Sequence, residues 1–197
     1  MGSDLKSQLN VYKNDYLGTI NPKIHDVKKL FEAALEVKRV SAQINEVVHA
    51  IGIINCLGCI LEEEESIEQL SLASGAEGEG FDLITNKRIA EFKFARWQTN
   101  AANGMRKRQV FADYVSLLIY QTDKLKELYV YDAKKIRLYF QSDRASWKKV
   151  LSKSGGLGKK LEEFLIKEQI DANSLSEIVS IGSIKILDID EILCGEL

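Results

Sequence analysis

Between Phe81 and Trp97 the chain reads FDLITNKRIAEFKFARW, and three ionic side chains break into otherwise apolar strands: Asp82, Glu91 and Lys93. Residues i and i+2 of a strand share a face. Glu91 and Lys93 therefore point one way, while Ala90, Phe92 and Phe94 point the other. Asn86-Lys87 reads as a tight turn that returns the strand carrying Asp82 alongside the strand carrying Glu91. Two neighbouring carboxylates repel unless something positive lies between them. A divalent cation is the usual solution. Mg²⁺, with Mn²⁺ as a substitute, suits one or two carboxylates because it keeps several waters and accepts substrate phosphate oxygens as further ligands. Such an ion polarises a phosphodiester and acidifies a water for attack. Lys93 would then orient that water or offset charge in the transition state. The plainer alternative is a surface hairpin carrying a Glu91–Lys93 salt bridge.

The elements that must position these residues are read from periodicity. Val27, Leu30, Phe31, Ala34, Ile44, Val48 and Ile51 recur at three- and four-residue steps, which predicts a helix over 27–51 that continues as helix or turn through Cys56–Leu61. Glu62–Glu65 reads as an exposed acidic turn. Strands are expected at 66–74, 80–85 and 88–96, with a glycine-rich loop at 74–80. A helix follows over 105–121, with Val110, Phe111, Tyr114, Val115 and Leu118 on its buried stripe. Short strands are expected at 127–131, 136–140 and 184–189. A helical turn is expected at 147–153, a flexible basic loop at 154–160, and short helices at 161–170 and 174–179. One α/β domain spanning 1–197 is expected, with a core of about 26–140 and a C-terminal extension over 141–197.

Asp82, eight residues, then Glu91-Phe92-Lys93 resembles the D…(D/E)-x-K motif of the PD-(D/E)xK nuclease superfamily. The resemblance implies a restriction-endonuclease-like α-β-β-β-α-β core, a central mixed sheet flanked by helices, with the acid on the second strand and Glu91 and Lys93 on the third. It rests on three motif residues and on the element order over roughly half the chain. Phe81 stands where the motif's proline would be. The implied function is Mg²⁺-dependent hydrolysis of phosphodiester bonds in DNA, of the restriction, repair or defence type, with RNA left open as a substrate. Many members place a metal-assisting Glu on the first helix, for which Glu46 is the candidate. Some use a Gln on the helix after the motif, for which Gln109 is the candidate. Gln109 is followed by Tyr114 at five residues, so the exonuclease-type Gln-x-x-x-Tyr pattern is not met.

Charge distribution points to a polyanionic partner. Residues 86–160 carry 18 Lys+Arg against 6 Asp+Glu, whereas the rest of the chain carries 9 against 23, although the net charge is only −2. Arg106, Lys107 and Arg108 are expected in the first turn of the 105–121 helix, where cations are unfavourable unless an anion binds. Arg96, Lys87 and Trp97 would extend this patch. The alternative function is a nucleic-acid-binding module of a larger assembly that does not cut, or a protein whose acidic 161–197 segment docks a partner. A homodimer is expected if both strands are cut.

Other features carry less. Cys56, Cys59 and Cys194 are an odd set, which points away from a disulfide framework and toward a reducing compartment. Cys56-Leu57-Gly58-Cys59 is a single C-x-x-C and reads as packed thiols rather than zinc ligands. Ser154 to Lys160 lacks P-loop spacing. His25 and His49 read as structural, although His49, three residues after Glu46 on the same helical side, leaves a supporting role open. No signal peptide and no uninterrupted run of 18 apolar residues appear, so a cytoplasmic protein without a membrane span is expected.

Overall fold

The computed structural model describes residues 27–72, 80–96 and 102–193. His25, Trp97, Cys194 and most of the expected glycine-rich loop lie outside the described residues. The chain divides into two units, Met1–Gln43 and Ile44–Leu197. The first is described only through the start of helix α1, Val27–Ile60. Everything that follows, apart from the N-terminal part of α1, belongs to the second.

The second unit is a mixed α/β structure built on one five-stranded sheet. Strands β1 (Ile67–Leu70), β2 (Leu83–Thr85) and β3 (Arg88–Lys93) run antiparallel in sequence. Helix α2 (Ala102–Ile119) then leads to β4 (Leu125–Val130), which lies parallel to β3. Four helices follow: α3 (Ala133–Phe140), α4 (Trp147–Val150), α5 (Leu157–Lys167) and α6 (Leu175–Ile181). Strand β5 (Lys185–Asp188) closes the sheet parallel to β4, and α7 (Ile189–Leu193) follows.

Each face of the sheet buries its own core. On one face Ile53, Cys56 and Ile60 of α1 pack with Leu83, Ala90, Phe92 and Tyr129. The Phe92 and Tyr129 rings stack at 4.6 Å. On the other face Phe111, Tyr114, Val115 and Leu118 of α2 pack with Ile89, Leu128 and the helices that follow β4. The strand periodicity of two decides this: alternate residues of β3 go to alternate cores. Gly52 sets the closeness of α1. A Cβ there would lie 2.5 Å from the Phe94 ring, so only glycine fits.

Several expectations need correction. Residues 136–140 are not a strand but part of α3. Ala133, Ile136 and Phe140 are its buried residues, a spacing of three and four rather than two. Asp188 of β5 accepts from the Ala133 N–H at 2.8 Å, satisfying an N–H at the helix start. Residues 157–160 are helical, not loop, because Gly155 and Gly156 both take positive φ and so turn the chain into α5. Glu65 is not exposed: its side chain is fully buried against Arg88. The apolar stripe expected of α1 is also displaced. Ile44, Val48 and Ile51 are exposed, and the buried positions are His49, Ile53, Cys56 and Ile60. Finally, Leu35–Ile60 is long and apolar enough to cross a membrane by length and composition, with a mean hydropathy of 1.3. Counting uninterrupted apolar residues does not detect it.

Candidate active site on the central hairpin

The hairpin that carries the charged residues is held by local hydrogen bonds. Thr85 Oγ1 accepts from the Lys87 and Arg88 N–H groups at 3.0 and 2.8 Å, and Asn86 Oδ1 accepts from Ser66 N–H at 2.9 Å. This two-residue connection fixes the register: Leu83 faces Ala90 and Ile84 faces Ile89. One step further along that register, Asp82 stands opposite Glu91.

The two acids do meet. Asp82 Oδ2 accepts from the Phe92 N–H at 2.8 Å, and Asp82 Oδ1 lies 3.2 Å from His49 Nε2. Glu91 lies close enough across the hairpin for the Asp82 charge to act on it. Lys93 Nζ lies 3.5 Å from Glu91 Oε2 and 3.2 Å from Asp113 Oδ2. Asp113 comes from α2 and was not singled out in the sequence. Its Oδ2 is buried and makes no well-angled hydrogen bond. The available signal was its place four residues after Gln109, one helical turn along the same side. His49, for which the sequence leaves a supporting role beside Glu46 open, is the α1 group that reaches Asp82.

Three carboxylates thus surround one ammonium, and the electrostatics show the imbalance. Burial, then the charges of Asp113 and Asp82, push the Glu91 carboxyl up to about 9. Burial also raises Asp113, against the pull of Lys93. Asp82 falls the other way: burial opposes its charge, but His49, Lys93 and the Phe92 N–H outweigh it. Lys93 is disfavoured by burial and rescued by the three acids, so it stays an ammonium throughout the neutral range. It can donate hydrogen bonds but cannot serve as a base. The four side chains still keep between 12% and 31% of their surface exposed, so a small ion or a phosphate oxygen can reach them.

A cavity of about 560 Å³ has Glu91 in its wall, with Phe81, Ser116, Tyr120 and Lys160. A second, of about 360 Å³, is lined by Arg108, Gln109 and Asp113. Gln109 therefore lies beside the cluster without a bond to it. Glu46 is exposed on α1 and forms no bond or ion pair with the cluster among the described residues. Family models, curated proteins and solved structures yield no match to the chain.

The expected basic patch is partly redistributed. Helix α2 begins at Ala102, so Arg106, Lys107 and Arg108 fall in its second turn rather than its first. Arg106 donates to the Arg96 carbonyl at 3.2 Å, and Lys107 sits 5.1 Å from the Tyr139 ring. Arg96 lies over the Tyr131 ring and pairs with Asp190 at 3.0 Å. Lys87 belongs elsewhere: it bonds Glu62 and the Glu63 carbonyl at the acidic turn.

Among the described residues, no three His, Cys, Asp or Glu side chains converge on a common point that would enclose an ion. An oxygen-seeking dication that keeps its waters needs no such cage. The surplus of carboxylates over cations fits a cation next to Asp82 and Glu91 better than it fits a closed salt-bridge network.

Proposed function

We propose that the chain is a metal-dependent nuclease of the restriction-endonuclease-like kind, hydrolysing phosphodiester bonds in DNA. The observation that carries this reading is the meeting of Asp82 and Glu91 across the hairpin beside an ammonium too weak in charge to balance them. The element order α1-β1-β2-β3-α2-β4 supports the same reading.

Asp82 and Glu91 would hold Mg²⁺. When bound, the ion supplies Lewis acidity toward the phosphoryl oxygen and lowers the pKa of a water. Asp82 is pre-aimed for this by the Phe92 N–H and His49. Glu91 must give up its proton on ion binding. Lys93, relieved of part of its acidic surroundings, donates a hydrogen bond to the attacking water or to a non-bridging phosphate oxygen. Asp113 holds Lys93 in place and keeps it charged. Gln109 and Arg108, in the wall of the adjoining cavity, are positioned for a neighbouring phosphate. Arg96, Arg106 and Lys107 would give affinity that does not depend on base sequence.

The test is cleavage of plasmid and linear duplex DNA with Mg²⁺ or with EDTA. Metal-dependent cutting is expected, reduced roughly 10²- to 10³-fold in Lys93→Ala. Equal cutting by the two proteins refutes the assigned roles. Salt-steep DNA binding with no cutting in any metal would instead support a non-cleaving nucleic-acid-binding module.

A further inference from the structure

Helix α1 has two apolar faces, and only one is covered within the chain. Along the second unit, His49, Ile53, Cys56 and Ile60 turn toward the sheet and are buried. Ile44, Val47, Ile51 and Ile54 lie on another side, each between 51% and 57% exposed. Their spacing alternates three and four residues. In the sequence the same alternation begins earlier, at Val37 and Val40, both also exposed. A monomer does not keep so many large aliphatic side chains in water without a use for them.

The period identifies the occupant. A strict 3.5-residue repeat is the pattern of a helix packed along another helix, with Val37, Ile44 and Ile51 at one core position of the heptad and Val40, Val47 and Ile54 at the other. The charged residues of this stretch obey the same frame. Lys38, Arg39 and Glu46 all fall at positions that point away from such a seam. Positions flanking the seam are Glu36, Ser41, Gln43, Val48, Ala50 and Asn55; the one charge among them, Glu36, lies at the seam's N-terminal edge and pairs with Arg39 of its own helix.

A lipid environment fits less well, although the helix is long enough. The face carrying Ile53 and Cys56 is sealed against Leu83 and Phe92, and His49 bonds Asp82. The sheet therefore occupies one side of the would-be span, where polar Asn45, Glu46 and Asn55 would also have to be buried.

We infer that the exposed face of α1 is a self-association seam, occupied by the same helix of other copies of this chain. The sheet lies on another side of the helix, so the seam can close without disturbing the hairpin. β-Branched residues at both core positions favour more than two strands over a simple pair.

Sedimentation velocity and light scattering on the full chain at micromolar concentration decide the matter. The expected wild-type mass is a multiple of 22.2 kDa. Val47→Lys with Ile51→Lys should return it to one chain, with circular dichroism unchanged because both side chains are exposed, and with a melting temperature that no longer depends on protein concentration. Glu46→Lys, off the seam, should keep the wild-type mass. If the double lysine variant fails to fold, Val47→Ala with Ile51→Ala replaces it and must raise the dissociation constant at least tenfold. A wild type that stays at one chain overturns the inference. So does a wild type that floats with phosphatidylcholine–phosphatidylglycerol vesicles and needs detergent for release, which would mean lipid covers this face.

Discussion

Strand β3 carries charge on both of its faces, and the two faces treat it oppositely. On the α1 side, buried Arg88 bonds Glu65 through Nε and Nη2, each at 2.7 Å, and Glu127 through Nη1 at 2.9 Å. Tyr129 donates to Glu127 at 2.6 Å, and Lys185 lies 3.8 Å away. Two buried acids face two cations, and burial of Glu65 is so well offset by Arg88 and Thr85 that its carboxyl is held down at about 2. On the α2 side, Asp82, Glu91 and Asp113 face one fixed cation, Lys93, with the His49 imidazole beside Asp82, and Glu91 is driven up to about 9. A balanced cluster is complete as it stands. An unbalanced one is stable only with a proton or a cation added, and the proposed metal site rests on that property.

The largest expected effect tests the balanced side. Arg88→Met leaves Glu65 and Glu127 buried without their main cation and should cost about 3–5 kcal/mol in urea unfolding. A loss below about 1 kcal/mol would mean that this network is not what holds β1, β3 and β4 together. The counterpart on the unbalanced side is Glu91→Gln. It should lower metal-dependent cleavage by about 10²–10³-fold, a loss of about 2.7–4 kcal/mol in transition-state stabilisation. Yet it should raise the metal-free protein's stability at pH 7 by an amount on the order of 2 kcal/mol, because folding no longer has to take up a proton. Activity falling while stability rises separates a site residue from a structural one. Stability falling with activity would place Glu91 with Arg88.

A smaller effect follows from pH. Glu91 binds its proton in the folded state up to about 9, whereas the unfolded carboxylate releases it near its ordinary value. Between those limits the folded state holds more protons. Metal-free stability should therefore be greatest near or below pH 5 and fall as pH rises toward 9, by about 1 kcal/mol per unit. Asp113 is shifted in the same direction and adds to this slope. Glu65 and Asp82 are shifted downward and act only in acid, outside the window. Chemical denaturation at several pH values in EDTA checks this. Glu91→Gln should flatten the slope, and saturating Mg²⁺ should flatten or invert it. A wild-type slope of zero would mean that Glu91 is ionised in the fold and the cluster is balanced after all.

Much of the unbalanced side was legible in the sequence, because a hairpin is local. Asn86-Lys87 sets the register, the register sets Asp82 against Glu91, and the two-residue period puts Lys93 beside Glu91. Asp113 was not legible in that way. It lies 20 residues beyond Lys93, and only the docking angle of α2 turns that side chain rather than Gln109 toward the ammonium. The balanced side was missed for the same reason. Glu65 looked like part of an exposed acidic run because its partner, Arg88, is 23 residues away and nothing local says which of four consecutive glutamates turns inward. The α3 segment was misread because Ile136, Leu138 and Phe140 also satisfy an alternating pattern. Over five residues the two periods overlap, and only Ala133 and Asp132 extend the frame enough to favour a helix. In α1 the apolar residues were found but not their direction. A helix with two apolar faces gives no local sign of which one meets the sheet, and Gly52 against Phe94 settles it.

His49 links the two sides, since it rises from the helix that packs on the arginine face and bonds an acid of the other cluster. Its ring also meets Phe94 edge-on at 5.8 Å. If Asp82 depended on His49 as Glu65 depends on Arg88, removing the imidazole would cost as much as breaking a buried ion pair. Asp82 keeps the Phe92 N–H and the field of Lys93, however, so His49→Ala should cost only about 1 kcal/mol in EDTA, near the worth of one hydrogen bond. Its stronger signature should appear with the ion. Groups that orient metal-binding carboxylates typically change affinity about 10- to 100-fold when removed. The Mg²⁺ concentration for half-maximal cleavage should therefore rise by about tenfold at the low end of that range. His49→Gln, which can still donate to Asp82 Oδ1, should recover part of it. A large stability loss with an unchanged Mg²⁺ requirement would instead make His49 a core residue that happens to touch Asp82, and would leave Asp82 on the structural side of the comparison.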